Sequence, residues 1–215
     1  MTTQRYTDIL AKEQAVFAYL DLANIFHWQD VLGWTFRIED LVAGTIALPN
    51  VKEVKVYFGE NGRDIAKSQA LHVRIRKAGG VLRTKPVKFI KKTINDALLF
   101  KHSTMSLFDT VTHKKIIALV DEIQQSGIAL EEPKCNFDVE MAMDMMDDRD
   151  KMSAAILFSG DSDMAAPLER MKLKGKRVFV VGVRGMTAYE LHAVKDMYFD
   201  FGKLYQGSRR YSSKL

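Results

Sequence analysis

The chain has 215 residues, of which 47% are hydrophobic and 27% are charged, and this is enough apolar material for one α/β domain with a sizeable core. Lysine and arginine outnumber aspartate and glutamate by 32 to 27, and the net charge of +5 slightly favours a polyanionic partner. The single cysteine, Cys135, excludes an intramolecular disulfide and a cysteine-based zinc site. The chain shows no signal-peptide pattern and no apolar run of about 18 residues, which predicts a cytoplasmic protein with no membrane partner.

Short apolar runs alternate with helical patterns along most of the chain. The runs predicted as strands are, in chain order, Ala15–Leu20, Val51–Gly59, Gly80–Ile90, Ala154–Phe158, Arg177–Gly182 and Tyr198–Phe201. Pro86 is expected to place the third run at an edge or to divide it, because proline lacks an N–H donor. The helical patterns are Ala66–Lys77, Asn136–Asp148, a helix that ends at Lys174, and Thr187–Asp196. This alternation predicts a mostly parallel sheet with helices on both faces.

The stretch from about Lys91 to Pro133 departs from this alternation. Apolar residues recur there at helical spacing, which predicts one or two helices that enlarge the α/β core. We therefore expect a single domain over residues 1–207, with an enlarged helical segment at about 91–133 and a basic flexible tail at 208–215.

Acidic side chains follow two of the predicted strands at the point where each strand ends. Asp21 directly follows the first strand, and Asp161 and Asp163 follow Ala154–Phe158. Ligands of an open parallel sheet bind beyond the carboxyl ends of its strands, so these groups are expected at one edge. Asn24, three residues after Asp21, offers a neutral oxygen at the same edge.

A further acidic group lies in the helix predicted before Ala154–Phe158. Asp138 falls in the first turn and Asp144 follows six residues later, which places them about 120° apart around a regular helix. Both cannot point directly at one ion, so we expect one direct ligand and one residue that acts indirectly. The helix start faces the sheet edge, which narrowly favours Asp138 as the direct ligand. Carboxylates that converge without enough histidine or cysteine for zinc suit Mg²⁺ or Mn²⁺.

Each acidic group also has an ordinary interpretation. Asp21 and Asp163 are each good helix caps. The acidic residues at the end of the same helix are expected to form a solvated turn: Asp147, Asp148 and Asp150. The Gly160–Ser162 triplet matches a GDS-type lipase motif with Ser162 as the nucleophile, but it lies far from the N-terminus and no DxxH pattern follows it near the C-terminus.

Three segments together resemble the NYN domain, the LabA-like branch of the PIN-like nucleases. They are AYLDLANIF at Ala18–Phe26, NFDVEMAMDMM at Asn136–Met146, and the segment Leu157–Gly182 with its SGDSD motif. Thr187–Phe201 is similar to the closing helix and short strand of the family, and the resemblance covers most of the chain outside roughly 83–133. Phe137 and Met164 depart from the usual pattern, and neither departure removes a carboxylate.

The resemblance implies a PIN-like three-layer α/β/α sandwich with a central, mostly parallel sheet. It also implies endonucleolytic hydrolysis of RNA phosphodiester bonds by a metal-activated water, with Mg²⁺ or Mn²⁺ as cofactor. The metal ligands carried over by motif are Asp21, Asn24, Asp138, Asp144, Asp161 and Asp163. Four of these, Asp21, Asp138, Asp161 and Asp163, are also expected to be catalytic. The alternative is a non-catalytic NYN module that binds RNA or a protein partner.

Two basic stretches are predicted to contact the RNA backbone, with single-stranded RNA as one alternative. Their residues are Arg74, Arg76, Lys88, Lys91 and Lys92. Tyr57 and Phe58 are candidate surfaces for base stacking. The competing interpretation is a solvated charged face and ordinary core aromatics. The oligomeric state stays open, with a homodimer as one alternative.

Overall fold

A computed structural model describes residues 3–92, 108–127 and 130–205 of the chain. These residues form two compact units. The first contains the chain up to Lys85 and from Asn136 onward, and the second is Pro86–Cys135. The residues from 93 to 107, within the predicted helical segment, and the predicted tail lie outside the described residues.

The first unit is built from strands and helices in alternation. Its strands in the described residues are β1 (Val16–Asp21), β2 (Val51–Glu60), β3 (Val81–Pro86), β6 (Ala154–Phe158), β7 (Arg177–Gly182) and β8 (Met197–Asp200). Its α-helices there are α1 (Thr3–Leu10), α2 (Leu22–Leu32), α3 (Ile38–Ile46), α4 (Ile65–Lys77), α6 (Asp138–Asp148), α7 (Ala165–Leu173), α8 (Tyr189–Val194) and α9 (Phe201–Leu204). Short 3₁₀ helices occupy Arg149–Lys151 and Ser162–Met164. None of the helices in the described part of the chain has both the length and the apolar character needed to cross a bilayer.

The second unit contains a two-stranded sheet and a helix. Strand β4 (Lys88–Lys92) pairs antiparallel with β5 (Leu130–Lys134), and α5 (Thr110–Gln125) is the helix between them in the chain. The helix agrees with the apolar spacing in this stretch, whereas β5 was not predicted. Pro86 divides the predicted third strand into β3 and β4, as its missing N–H donor led us to expect.

The six strands of the first unit form one sheet in the order β3-β2-β1-β6-β7-β8. Strand β1 is parallel to both β2 and β6, and β7 is parallel to both β6 and β8. This sheet, flanked by helices, confirms the predicted α/β fold class. The chain adds strands outward from β1 on one side and then returns to build the other side from β6, so the strand order reverses between β1 and β6. Such a switch point opens a crevice at the carboxyl edge, where ligands of this fold class bind.

The sheet is buried on both faces, which explains why its inner strands are continuous apolar runs. Every residue of β1 and β6 is buried. Val16, Ala18 and Leu20 face a core that includes residues of α1 to α4, among them Trp28 and Leu41. Phe17 and Tyr19 have the opposite parity and face the side on which α6 lies, since the Tyr19 hydroxyl reaches that helix.

Candidate metal centre

Asp21 ends β1 and caps α2 at the carboxyl edge of the sheet. Its Oδ1 accepts hydrogen bonds from the backbone N–H groups of Ala23 at 3.1 Å and Asn24 at 3.3 Å. Its Oδ2 accepts from the Asn24 side-chain amide at 2.7 Å and from the Ser159 hydroxyl at 3.3 Å. Burial raises the pKa of the Asp21 carboxyl above its usual value, and these hydrogen bonds offset part of the rise. Asp21 is therefore a buried and firmly oriented carboxyl group.

Ser159 and Gly160 connect the end of β6 to the second acidic segment. The Asn24 Oδ1 accepts a hydrogen bond from the Gly160 N–H at 3.3 Å, and the Asp161 N–H donates to the Ser159 hydroxyl at 3.2 Å. A Cβ atom on Gly160 would overlap with the backbone carbonyl oxygen of Met186, which lies in the loop after β7. The turn that presents Asp161 is therefore held from both sides and has room only for glycine.

Three carboxylates meet beyond this turn. Asp161 accepts a hydrogen bond from the Asp163 N–H at 3.0 Å and so caps the 3₁₀ helix Ser162–Met164. Asp138 is the first residue of α6, which contacts that 3₁₀ helix. Each of the three aspartates offers one oxygen, and these oxygens lie within 4.8 Å of one another. Asp138 and Asp161 are half-buried and Asp163 is exposed, so the group of three is open to solvent. We call Asp138, Asp161 and Asp163 the aspartate triad.

The charges of the aspartate triad repel one another. Burial raises the pKa of the Asp138 carboxyl, and the negative charges of Asp161, Asp21 and Asp163 raise it further, while a hydrogen bond with Asn136 acts in the opposite direction. Asp21 is therefore close enough to act electrostatically on the triad without belonging to it. A divalent cation would relieve this repulsion, and an all-oxygen donor set suits Mg²⁺ or Mn²⁺.

Asp144 lies on the same helix as Asp138 but has different partners. Its Oδ2 accepts from the Tyr57 hydroxyl at 2.8 Å, and the Arg83 guanidinium donates two hydrogen bonds, at 2.9 and 3.2 Å. Partial burial raises the pKa of Asp144, but the hydrogen bonds from Arg83 and Tyr57 and the charge of Lys55 outweigh it and hold the pKa below its usual value. Because Asp138 and Asp144 are about 120° apart around the helix, Asp138 lies in the aspartate triad and Asp144 lies beside Arg83 and Tyr57.

Asp148 is a buried charge that the sequence did not reveal. We expected it in a solvated turn, yet it is only 3% exposed, and that expectation was wrong. Its Oδ2 makes a very short contact with the Lys55 ammonium and accepts from the Tyr19 hydroxyl at 3.1 Å. Lys55 is itself only 4% exposed, on β2 between Val54 and Val56. A lysine inside an inner parallel strand was the available signal, because both faces of such a strand are covered.

The predicted RNA-contacting residues lie on two elements. Arg74 and Arg76 are exposed on α4 of the first unit, and the Arg74 guanidinium lies 3.6 Å from Glu39. In the second unit, the exposed Lys88 and Lys91 lie on β4, with Lys91 opposite Glu131. Lys92 ends the same strand.

The two candidate stacking aromatics differ in accessibility. Tyr57 is only 1% exposed and its hydroxyl binds Asp144, so it is no stacking surface. Phe58 is half-buried at the end of β2, with its ring edge-on to His72 at a centroid distance of 5.8 Å. Of the two, only Phe58 stays accessible to a base.

The order of these motifs along the chain matches a known family. The model of the NYN domain matches residues 15–202, which span the first unit from β1 to α9 and include every aspartate described above. The chain belongs to the NYN domain family. This confirms the resemblance found in the sequence. NYN domains are PIN-like domains of a nuclease superfamily, and members of the NYN family are generally ribonucleases.

Two individual proteins are similar to this NYN domain over most of its length. The low amplitude and bright protein LabA of Synechococcus elongatus is 22% identical over 186 residues, which are 86% of this chain and 83% of LabA. The crystal structure of a protein of unknown function from Vibrio parahaemolyticus superposes with a TM-score of 0.58 at 19% identity, covering 88% of this chain and 94% of that one. The structural similarity supports the fold.

Proposed function

We propose that this NYN domain is a metal-dependent endoribonuclease that hydrolyses RNA phosphodiester bonds. The observation that carries the proposal is the convergence of Asp138, Asp161 and Asp163 at the carboxyl edge of the sheet, beside Asp21. This edge contains the switch point between β1 and β6, where the fold class binds its ligands. Membership of the NYN family supports RNA as the substrate.

The triad would hold Mg²⁺ or Mn²⁺, because it offers three carboxylate oxygens within 4.8 Å and stays open for a phosphate and water. The bound cation would supply Lewis-acid activation of water and stabilisation of the charge that develops on the phosphate. Asp161 holds its own place by capping a helix, and Asp138 approaches from the start of α6. No protein nucleophile is required, so Ser162 has no role as one.

Asp21 and Asn24 would lie next to the aspartate triad and support it without binding the cation directly. Asp21 adds a fourth negative charge there, and Asn24 keeps the Asp21 carboxylate oriented through its side-chain amide. Both polar atoms of the Asn24 side chain have partners within the protein, which favours an orienting role over direct ligation. Asp144, bound by Arg83 and Tyr57, would act by fixing α6 and thereby the position of Asp138.

The proposal is tested by incubating the purified chain with end-labelled single-stranded RNA, and with DNA of the same sequence, in Mg²⁺, Mn²⁺ or EDTA. We expect internal cleavage of RNA with either cation and none with EDTA. Asp161→Asn should abolish cleavage, because it removes a charged ligand at constant volume. Asp150→Asn is the matched control, since the Asp150 side chain is 80% exposed and lies outside the triad.

Two results would contradict the proposal. Full cleavage by Asp161→Asn would show that the triad is not the reacting centre. Binding of RNA by the parent chain without cleavage in any cation would instead support the alternative, a non-catalytic module.

A further inference from the structure

A cavity of about 540 Å³ opens on the first unit. Its volume lies in the range of small-ligand pockets, which is about 300–1,000 Å³. It is lined at the end of β2 by Phe58, Gly59 and Asn61, and from α2 by Phe26. The β2 residue opposite Asp21 is Tyr57, one residue before Phe58, so the cavity and Asp21 share the carboxyl edge of the sheet.

Phe26 is an aromatic side chain that lies outside the buried core. It is 38% exposed, although it lies on α2, whose residues Leu22, Ile25 and Trp28 are fully buried. It follows Asp21 by five residues, which is about 7.5 Å along the helix axis. Together with Phe58, it lines the cavity. The two rings offer an apolar surface of the kind on which nucleic-acid bases stack.

Basic groups line the same cavity. Arg37 and Arg74 both lie within ion-pair distance of Glu39, with nitrogen–oxygen distances of 2.6 and 3.6 Å. One carboxylate therefore holds two half-exposed guanidinium groups at the cavity wall. The third basic residue of the lining is Lys67, so three basic and two acidic residues line the cavity. This balance favours an anionic ligand.

We infer that this cavity binds a base of single-stranded RNA next to the cleavage position, with the base stacked on Phe26 and Phe58 and the adjoining phosphate facing Arg74. The inference rests on the proposed function for the choice of ligand. The cavity lies beside β2, two strands from β6, and neighbouring strands are about 4.8 Å apart. A strand of RNA with its phosphate at the triad would thus pass over Asp21 before its next bases reach the cavity.

The inference is tested by RNA binding in EDTA, where cleavage cannot interfere. The probes are a fluorescent 12-nucleotide single-stranded RNA and a 12-nucleotide strand of abasic ribose phosphate. Phe26→Ala should raise the Kd for the RNA by about fivefold or more, the size of a base–aromatic stacking contribution. It should leave the Kd for the abasic strand unchanged, because that strand has nothing to stack. Phe26→Trp should restore tight binding of the RNA.

Matched variants separate this effect from a general loss of structure. Val31→Ala removes another exposed apolar side chain of α2, 57% exposed, and should change neither Kd. Arg74→Ala should weaken RNA binding more than Arg76→Ala, because Arg74 lines the cavity and Arg76 is not among its lining residues. The melting temperature of each variant shows that it is folded.

An RNA Kd for Phe26→Ala equal to that of the parent would overturn the inference, as would an equal loss for RNA and abasic strand. Neither result depends on cleavage. If the chain binds RNA through Phe26 but never cleaves it, the proposed function is refuted and the base site stands. If the parent chain cleaves RNA and Phe26→Ala binds RNA as tightly as the parent does, the base site is refuted and the proposed function stands.

Discussion

Asn24 Nδ2 lies 2.7 Å from Oδ2 of Asp21 and donates a hydrogen bond to that carboxylate. The other side-chain atom of Asn24, Oδ1, accepts from the backbone of Gly160 beyond β6. One amide therefore joins the ends of the two strands that flank the switch point. Asp21 could not adopt a single orientation as reliably if this amide were absent, since only Ser159 and the start of α2 would hold it.

We predict that Asn24→Ala lowers the affinity of the centre for Mn²⁺ without unfolding the chain. Residues that orient metal-site carboxylates typically contribute about 10–100-fold in metal affinity or activity. The measurement is the initial cleavage rate as a function of Mn²⁺ concentration, and the half-saturating concentration should rise. A Mn²⁺ dependence identical to that of the parent would show that Asn24 does not act on the centre.

Gly160→Ala is predicted to disturb the centre although it removes no charge. The added methyl group would overlap with the Met186 carbonyl oxygen, and the backbone must shift to accommodate it. Such overpacking costs about 1–3 kcal/mol of stability, and the shift would displace Asp161. Gly62→Ala is the matched control, because a Cβ there meets nothing within 4 Å. Equal melting temperatures and cleavage rates for the two variants would contradict the prediction.

Asp138→Asn and Asp144→Asn are predicted to change stability in opposite directions when no metal is present. Asp138→Asn relieves repulsion within the triad and should stabilise the chain, by about 1 kcal/mol or less at this half-exposed site. Asp144→Asn weakens the ion pair with Arg83 and should destabilise it by about 1–2 kcal/mol. Thermal unfolding in EDTA measures both effects.

Addition of Mn²⁺ separates the same two variants further. A cation at one hundred times its Kd stabilises the folded state by about 2.7 kcal/mol, or about 5–11 °C for a chain of this size. Asp144→Asn should keep this shift, and Asp138→Asn should lose most of it. The opposite pattern would make Asp144 the direct ligand.

The contribution of Asp144 to stability should depend on pH. Its pKa in the folded chain is lowered, so its charged form is favoured by folding. The stability that it contributes is therefore present above the usual aspartate pKa of 3.8 and is lost as the pH falls through the lower folded value. The difference in unfolding free energy between the parent and Asp144→Asn should accordingly shrink below pH 3.8. If the difference in unfolding free energy stays constant across this pH range, the charge of the Asp144 carboxylate does not stabilise the fold.

Lys55→Met is predicted to destabilise the first unit by about 3 kcal/mol or more. The change leaves Asp148 charged and buried without its closest cation, and broken buried pairs typically cost this much. Adding Asp148→Asn should recover part of the loss, because it removes the uncompensated charge. Lys151→Met is the control, since Lys151 also pairs with Asp148 but is 67% exposed, and we expect less than about 1 kcal/mol. Denaturant unfolding measures all of these variants.

The basic residues of β4 give a prediction about the RNA backbone. Replacing Lys88, Lys91 and Lys92 with alanine should weaken binding of every RNA sequence about equally and reduce the salt dependence by roughly 0.7 per lost phosphate contact. Cleavage at saturating RNA should survive, because these lysines would only hold the substrate. Replacing the exposed Lys114 and Lys115 of α5 provides a control in the same unit. An unchanged salt dependence would identify the β4 lysines as a solvated face.

Local sequence was sufficient to predict the strands of the first unit and its acidic edge. The runs at β1 and β6 are continuous and apolar because inner parallel strands are covered on both faces, and this signal needs no knowledge of distant residues. Asp21 directly follows the first run, and Asp161 follows the second after Ser159 and Gly160, so the carboxyl edge of a parallel sheet had to bring them near each other. The order of the motifs along the chain also indicates the family.

Contacts between distant segments were decided only by the tertiary structure. The 120° separation of Asp138 and Asp144 showed that they must diverge, but only the packing of α6 assigned one to the triad and the other to Arg83. Tyr57 and Phe58 are adjacent in sequence, yet one is buried against α6 and the other lines the cavity.

Asp148 illustrates the physical reason most clearly. It ends an acidic run that reads as a solvated turn, and its partner Lys55 lies 93 residues earlier on another element. The free energy of a buried charge depends on the partner that it meets, and spacing along the chain does not specify that partner. The sequence by itself therefore determined the strands of the first unit, the family and the acidic edge, whereas the packing of α6 on the sheet decided which carboxylates pair with lysine or arginine and which meet in the aspartate triad.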